Sequence, residues 1–485
     1  MSEVAPPLRA IAAGGYVTSP ERVRTSVYLG LLLFTAAYFL IWPIWRAQFL
    51  VEIWPTEAWN AYFQDVAAAG GQLYPTADSL LGNNYPPLSF YFVGFLGNIL
   101  GDSLFAGRAL SLLGLICVAI EIFAAVRILS GNSVGAAVGA FWYVAIMAHN
   151  SAVYVGANDP QIAGQAIMGA GLVWFLSRER DRRSVLAPLL LMVVGGFWKH
   201  NMIGIPATVI AWMLTNWRAA IRPVLISGAA AGVGLFACSL IFGPSFFSNI
   251  FATRHYSIAY LLVNIGHLQW CALALAIWAG WAITDSTNAA ARFSSLHIGI
   301  SFIVCILQWF GSGVSGNAEF DLILALGVGT GLTFSYMDRS YAARFIEVGL
   351  LRTLMIAVLL IRLIASDRQE SALILISPEF RESLYSNERT AIREAAQLSL
   401  VHGDVFCTNK VVCRMAGKPF VVDEFKVEQL ALTNKLPDND LRNLLTLRNI
   451  SVFRSDIATT AFVDTSLSSV WWQKRFGRLT GERLP

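Results

Sequence analysis

From residue 26 to residue 365 the chain repeats one pattern: an apolar run about as long as a membrane span, then a short polar break. The runs fall at 26–45, 104–129, 133–149, 161–177, 185–198, 202–217, 223–243, 259–284, 295–311, 320–336 and 345–365. About 20 apolar residues in a helix cross a bilayer, and a helix satisfies its own backbone groups in lipid. The pattern predicts a polytopic α-helical membrane protein with about 11 transmembrane helices. Two stretches interrupt it. Residues 46–103 form a long first loop. Within it LSFYFVGFLGNIL, 88–100, is too short for a span and reads as a helix lying in the interface. From 366 to 485 charges return, and short apolar runs (ALILI, DVFCT, PFVVD, ISVF) alternate with helix-like stretches. That alternation predicts a small α/β domain.

Composition agrees. Hydrophobic residues make up 56% and charged residues 14%, against roughly 25% charged in a soluble domain. The net charge of +4 says less than its placement. With the tail 1–24 on the cytoplasmic side, the inner loops hold Arg178, Arg180, Arg182, Arg183, Arg218, Arg222, Arg292, Arg339 and Arg344. Lys and Arg resist translocation, so this is the expected sign. The run 26–45 has no small-residue cleavage site after it and reads as a retained span. An odd number of spans then puts 366–485 outside. Cys407 and Cys413 fall in that outer segment, where oxidation is permitted. A disulfide and two thiols are both open.

The polar residues that stand out collect on the outer side. Glu57 lies in the first loop and Asp159 before the fourth run. Lys199 and His200 sit at an outer turn, as do Arg254 and His255; Glu319 and Asp321 open the tenth run. One membrane face thus gathers carboxylates and cations from distant segments, as an outward-facing active site requires. Each residue also has a structural reading. Thr56 would cap a helix whose dipole Glu57 complements. Asp159-Pro160 suits a cap and first turn. Lys199 would snorkel at a span end. Trp54, Trp59 and Tyr62 suit interfacial anchoring as well as sugar stacking. Glu121, inside the second run, needs a partner that the sequence does not name.

In order, TEAWNAYF, GGQLYP, NNYPPLSFYFVGFLG and GDSLFAGRALS resemble the first outer loop of GT-C glycosyltransferases. The likeness is to the bacterial branch of family 39 and lipid A aminoarabinose transferase type. GANDPQ, KHN, GNAEFD and AGKPFVVDEF extend it over most of the chain. The resemblance implies a GT-C-like catalytic module over 25–365, with an extracytoplasmic α/β domain after it, in the bacterial inner membrane. It implies transfer of a sugar from a polyprenyl-phosphate donor to an envelope glycan, lipid or protein hydroxyl, with inversion. By the same resemblance Glu57 and Asp159 are catalytic, Glu57 being the general base. Lys199, His200, Arg254 and His255 face the donor phosphate, and Trp59, Asn60, Tyr62, Tyr85, Asn158, Glu319 and Asp321 are pocket candidates. Two departures stand out. Thr56-Glu57 replaces a frequent Asp-Glu pair, and Asn84-Tyr85 replaces an acidic-basic pair found before Pro-Pro in some members. A divalent metal is compatible with this reading, but no ligand set is assigned. The rival functions are a transporter or lipid-linked-sugar flippase, and a membrane scaffold.

Overall fold

A computed structural model describes residues 19–181, 183–365, 369–436 and 440–455. Most of the expected N-terminal tail, Arg182 and residues 456–485 of the outer segment lie outside those ranges. Each apolar run has become a helix. In chain order these are α1 (Ser19–Arg46), α2 (Pro55–Ala68), α3 (Leu88–Leu100), α4 (Ser103–Ser130), α5 (Ser133–Asn150), α6 (Pro160–Arg180), α7 (Leu186–Trp198), α8 (Gly204–Met213), α9 (Trp217–Phe242), α10 (Ser245–Ile250), α11 (Ile258–Asn264), α12 (Ala272–Ala282), α13 (Ala289–Trp309), α14 (Phe320–Ser335) and α15 (Val348–Ile364).

Among the described residues, five helical stretches are long and apolar enough to cross a membrane, against the eleven expected. They are Val23–Arg46, Ser103–Ser130, Arg218–Phe242, Ala289–Trp309 and Gly316–Ser335. A sixth arises if the pair Ile258–Trp270 and Ala272–Ala282, bent by 67°, is one broken span. Two of the other runs became short helices, α7 and α8. α6 carries polar Gln161 and Gln165 toward the protein interior, where neighbouring helices solvate it instead of lipid. α14 packs on α5 through small residues. A Cβ at Gly139 would lie 2.3 Å from the Gly327 carbonyl, so glycine is what permits this approach.

α3 sits where the sequence placed an interfacial helix. It buries Phe90, Val93, Gly94 and Gly97 and exposes Tyr91, Phe92, Phe95, Ile99 and Leu100. That outward apolar face suits lipid.

The outer segment contains α16 (Glu370–Ile376), α17 (Pro378–Ser399), β1 (Val405–Cys407), α18 (Lys410–Met415), α19 (Glu424–Leu432), α20 (Asp440–Leu447) and β2 (Ser451–Phe453). DVFCT and ISVF form a parallel pair, with Val405 opposite Ser451 and Cys407 opposite Phe453. A parallel pair needs a long crossover, here α18 to α20. ALILI became α16 and PFVVD became coil, so two of the four apolar runs are strands. Ala and Leu favour helix. In PFVVD the side chains fix the chain instead: Phe420 stacks on Tyr62 and Val422 is buried. Cys407 and Cys413 are joined by a disulfide, tying β1 to α18.

This segment shares a hydrophobic cluster with the end of α1 and the first loop: Trp42, Phe49, Val51 and Tyr62 meet Leu384, Leu398, Val405 and Val412. Arg414 forks between two first-loop carboxylates. Its Nε donates to Asp65 Oδ2 at 2.7 Å, and its Nη1 to both Asp102 oxygens at 3.0 Å.

Candidate active site

α2 begins at Pro55, with Trp54 rather than Thr56 at the N-cap position. Proline at the first helical position lacks the N–H that would go unpaired there. Glu57 follows in the first turn. Its Oε2 accepts from the Ile53 N–H at 3.0 Å, closing the helix start. Arg108 of α4 meets the carboxylate in a fork, Nε to Oε1 at 2.6 Å and Nη2 to Oε2 at 2.8 Å. The Asn158 N–H supplies a fourth bond, 3.0 Å to Oε1. A carboxylate offers about four acceptor sites, and here all are used. Glu57 and Arg108 are 0% and 1% exposed. The guanidinium also donates to the carbonyls of Ala47, Phe49 and Val51. The sequence reading of Glu57 as general base meets a different environment: the group is sealed and saturated, and it pins the first loop to α4 and to the 158 turn.

Asp159 is the N-cap of α6, as the Asp-Pro pair suggested, with Oδ1 accepting from the Gln161 N–H at 2.8 Å. The same oxygen accepts from Lys199 Nζ at 2.9 Å, across to the end of α7. Oδ2 accepts no hydrogen bond from the described residues. Lys199 is 1% exposed, so it does not snorkel. Burial opposes its charge, but Asp159 and Tyr85 outweigh that and raise its pKa. The ammonium lies 4.6 Å from the Tyr85 ring centroid, a cation–π contact. His200 approaches the same ring at 6.5 Å. Close surroundings, with Arg254 and Lys199 adding to them, hold its pKa down at about 4. It is therefore neutral at pH 7. Its side is nonetheless open to solvent.

Arg254 comes to the same place from the loop before α11. Its guanidinium lies 5.2 Å from the Phe425 ring. Among the described residues it forms no hydrogen bond and no ion pair. Burial lowers its pKa, with Tyr256 and Tyr85 acting the other way. Of the four expected phosphate contacts, Lys199 and His200 therefore meet at Tyr85, and the charge of Arg254 reaches both Tyr85 and His200. His255 does not join them. Its backbone N–H donates to Gln429 and its ring packs on Tyr260.

The pocket candidates divide. Trp59 packs edge-on to Tyr85 at 5.2 Å, beside the cations. Asn60 donates to the Asn158 carbonyl, and the Asn158 side chain exchanges bonds with Gln64, so both brace the turn before Asp159. Tyr62 donates to the Lys418 carbonyl, toward the outer segment. Glu319 and Asp321 lie elsewhere. Glu319 accepts from Asn150 at 3.1 Å, with His267 at 3.9 Å, and Asp321 accepts from the Gly204 N–H at 2.8 Å. Glu121 faces Gly169 of α6, and its Oε2 has no hydrogen-bond partner among the described residues. Among those residues no group of three His, Cys, Asp or Glu side chains is placed to hold a metal ion.

Sequence reasoning passed over Arg108, Glu52, Lys410 and Asp423. Glu52 is 0% exposed, and burial raises its pKa from 4.5 to about 8 although Lys410 lies near. Lys410 Nζ donates to Glu424 at 2.5 Å. Asp423 Oδ2 accepts from the Trp59 indole at 3.2 Å. The available signal is the acidic pair Asp423-Glu424 within AGKPFVVDEF.

No family model and no curated protein matches the chain. Solved structures do. ArnT from Cupriavidus metallidurans bound to undecaprenyl phosphate matches with a TM-score of 0.56 over 85% of this chain and 90% of that one. The fold is ArnT-like. The apo state of the same ArnT gives 0.53 over the same shares, and identity is 14% in both cases. At that identity the likeness to ArnT is one of architecture. Its span takes in the outer segment as well as the membrane helices, since 85% of the chain is more than residues 19–365 hold.

Proposed function

We propose that the chain is a GT-C glycosyltransferase of the inner membrane that moves a sugar from a polyprenyl phosphate to an envelope acceptor hydroxyl, on the extracytoplasmic face and with inversion. One observation carries the reading most: buried Lys199 and solvent-exposed His200 meet at Tyr85, within the field of Arg254, beside a carboxylate with a spare oxygen. Arg254, which has no anion among the described residues, suits a phosphate, and Lys199 keeps ammonium protons beyond the one bonded to Asp159. The ArnT-like fold supports a lipid phosphate, because one ArnT structure holds undecaprenyl phosphate. The disulfide supports an oxidising compartment for the segment 366–485, and with it an odd number of crossings from an N-terminus inside.

In this reading Asp159, not Glu57, is the base. Its Oδ2 accepts the acceptor's hydroxyl proton, the oxygen attacks the anomeric carbon, and the bond from that carbon to the phosphate oxygen breaks. The departing phosphate keeps the electron pair. Lys199, whose ammonium has donors beyond the one used on Asp159, and Arg254 stabilise the charge that develops there. Base assistance of this kind contributes about 10²–10⁴-fold. Glu57 holds the first loop in place for it. The sugar and the acceptor are set by pocket surfaces around Trp59 and Tyr85.

The test uses purified protein in detergent, a polyprenyl-phosphate-sugar extract and envelope acceptors, with free polyprenyl phosphate followed by mass spectrometry. Release by wild type and its loss in Asp159→Asn support the reading. No release from folded protein with intact donors would overturn it in favour of transport.

A further inference from the structure

We propose that the first turn of α19 is part of the donor site, with Asp423 and Phe425 as positioning residues, the one for Trp59 beside Tyr85 and the other for Arg254. This rests on the donor-phosphate reading above.

The geometry begins with one carboxylate doing two things. Asp423 Oδ1 caps α19 through the Phe425 N–H at 2.9 Å, and Oδ2 takes the Trp59 indole N–H at 3.2 Å. The Asp423 backbone is itself held to the first loop, its N–H donating to the Leu80 carbonyl at 3.0 Å. Trp59 has Tyr85 at 5.2 Å on one side and Phe63 at 4.8 Å on the other. Its indole therefore has one orientation, and the outer segment sets it. The buried carboxylate is tolerated because Lys410 lies near it.

Two residues on, Phe425 serves Arg254. Its ring carries the Arg254 guanidinium at 5.2 Å. The ring edge sits against Gly313, whose φ is +71°, and a Cβ there would lie 2.4 Å from Phe425 Cε2. One turn later Gln429 accepts from the His255 N–H at 2.8 Å and donates to Ser312 at 3.0 Å, clasping the loop that bears Arg254. A guanidinium with no anion of its own is held in place by an aromatic face. Such a contact limits where the charge lies without neutralising it, which leaves it available to an incoming phosphate.

A helix cap alone would be satisfied by serine. Serine is too short to cap the helix and reach the indole as well. The experiment measures binding of undecaprenyl phosphate to the full-length protein in detergent by native mass spectrometry, with thermal unfolding alongside. Asp423→Ser should weaken binding about 5-fold and Phe425→Leu about 3- to 10-fold, as expected for a lost polar or cation–π contact. Neither should change the melting temperature in proportion. In a Trp59→Phe background, which has no indole N–H, Asp423→Ser should add nothing. Wild type that binds no undecaprenyl phosphate would overturn the functional reading. Wild type that binds, with both variants binding equally well, would overturn this proposal and leave that reading standing. Loss of binding only in step with loss of folded protein would also overturn it, and Phe425→Leu, which keeps apolar volume, guards against mistaking the two.

Discussion

Two buried acid–base pairs lie close together on this protein and differ in one respect. Glu57–Arg108 is closed: the carboxylate has four donors and the guanidinium three further carbonyls. Asp159–Lys199 is open: the Gln161 N–H and the Lys199 ammonium both bond Oδ1, and the ammonium leans on an aromatic face. The first pair has no valence left for a substrate. The second has an oxygen and ammonium protons to offer. Burial and charge look alike in both, so neither property identifies a reacting group. What separates them is the remaining hydrogen-bonding capacity.

The sharpest way to break this comparison is to exchange the fates of the two carboxylates. Asp159→Asn should lower turnover about 10²–10⁴-fold, far more than the fraction of folded protein falls: the amide oxygen still caps α6, while buried Lys199 loses its anion and lowers the melting temperature. Turnover near wild type would remove Asp159 as base. Arg108→Met should act on the fold. Leaving Glu57 buried without its cation costs about 3–5 kcal/mol, read as a lower melting temperature in detergent. If Arg108→Met instead kept its stability and lost only turnover, Glu57 would be the chemical residue after all. Arg254→Ala should weaken undecaprenyl phosphate binding about 10-fold with stability unchanged, as removal of a guanidinium without a carboxylate partner should.

The smallest expected effect concerns pH. Glu52 has its pKa raised from 4.5 to about 8, chiefly by burial, and Asp423 from 3.8 to about 6, again chiefly by burial. A raised carboxyl pKa means the fold prefers the protonated form. Its contribution is full below the unfolded value and is lost as pH rises through the folded one. Between pH 6.5 and 8.5, where Asp423 is largely ionised, Glu52 contributes together with Glu428, whose pKa burial raises to about 7. Stability should fall across that window by on the order of 1–2 kcal/mol, and Glu52→Gln should flatten the slope. An unchanged slope in that variant would assign it to another group.

Much of the fold was legible because spans announce themselves in a single run of residues. The positions of α1, α4 and α9 follow from hydropathy alone. The shorter helices blur the count, since α5 and α6 are solvated by protein and need not be apolar throughout. Strands in the outer segment were half legible. ALILI and PFVVD are apolar, but nothing local tells a buried coil or short helix from a strand. The site was legible as a list of residue types on one side. Its pairings were not. Arg108 is 51 positions from Glu57, and Asp423 is 364 from Trp59. No spacing rule reaches that far, and only the packed helices decide which carboxylate meets which cation.

The Arg414 fork sets an order of events in the life of the chain. Asp65 and Asp102 wait for a cation that lies 349 and 312 positions further on. A ribosome adds roughly 5–20 residues per second, so the first loop is exposed for tens of seconds before its clamp has been made. The active face is therefore among the last parts of the molecule to settle. A chain interrupted before residue 410 would have every spanning helix in place and still lack the fork, the disulfide and α19. Quality control would meet it as an inserted but unfinished protein.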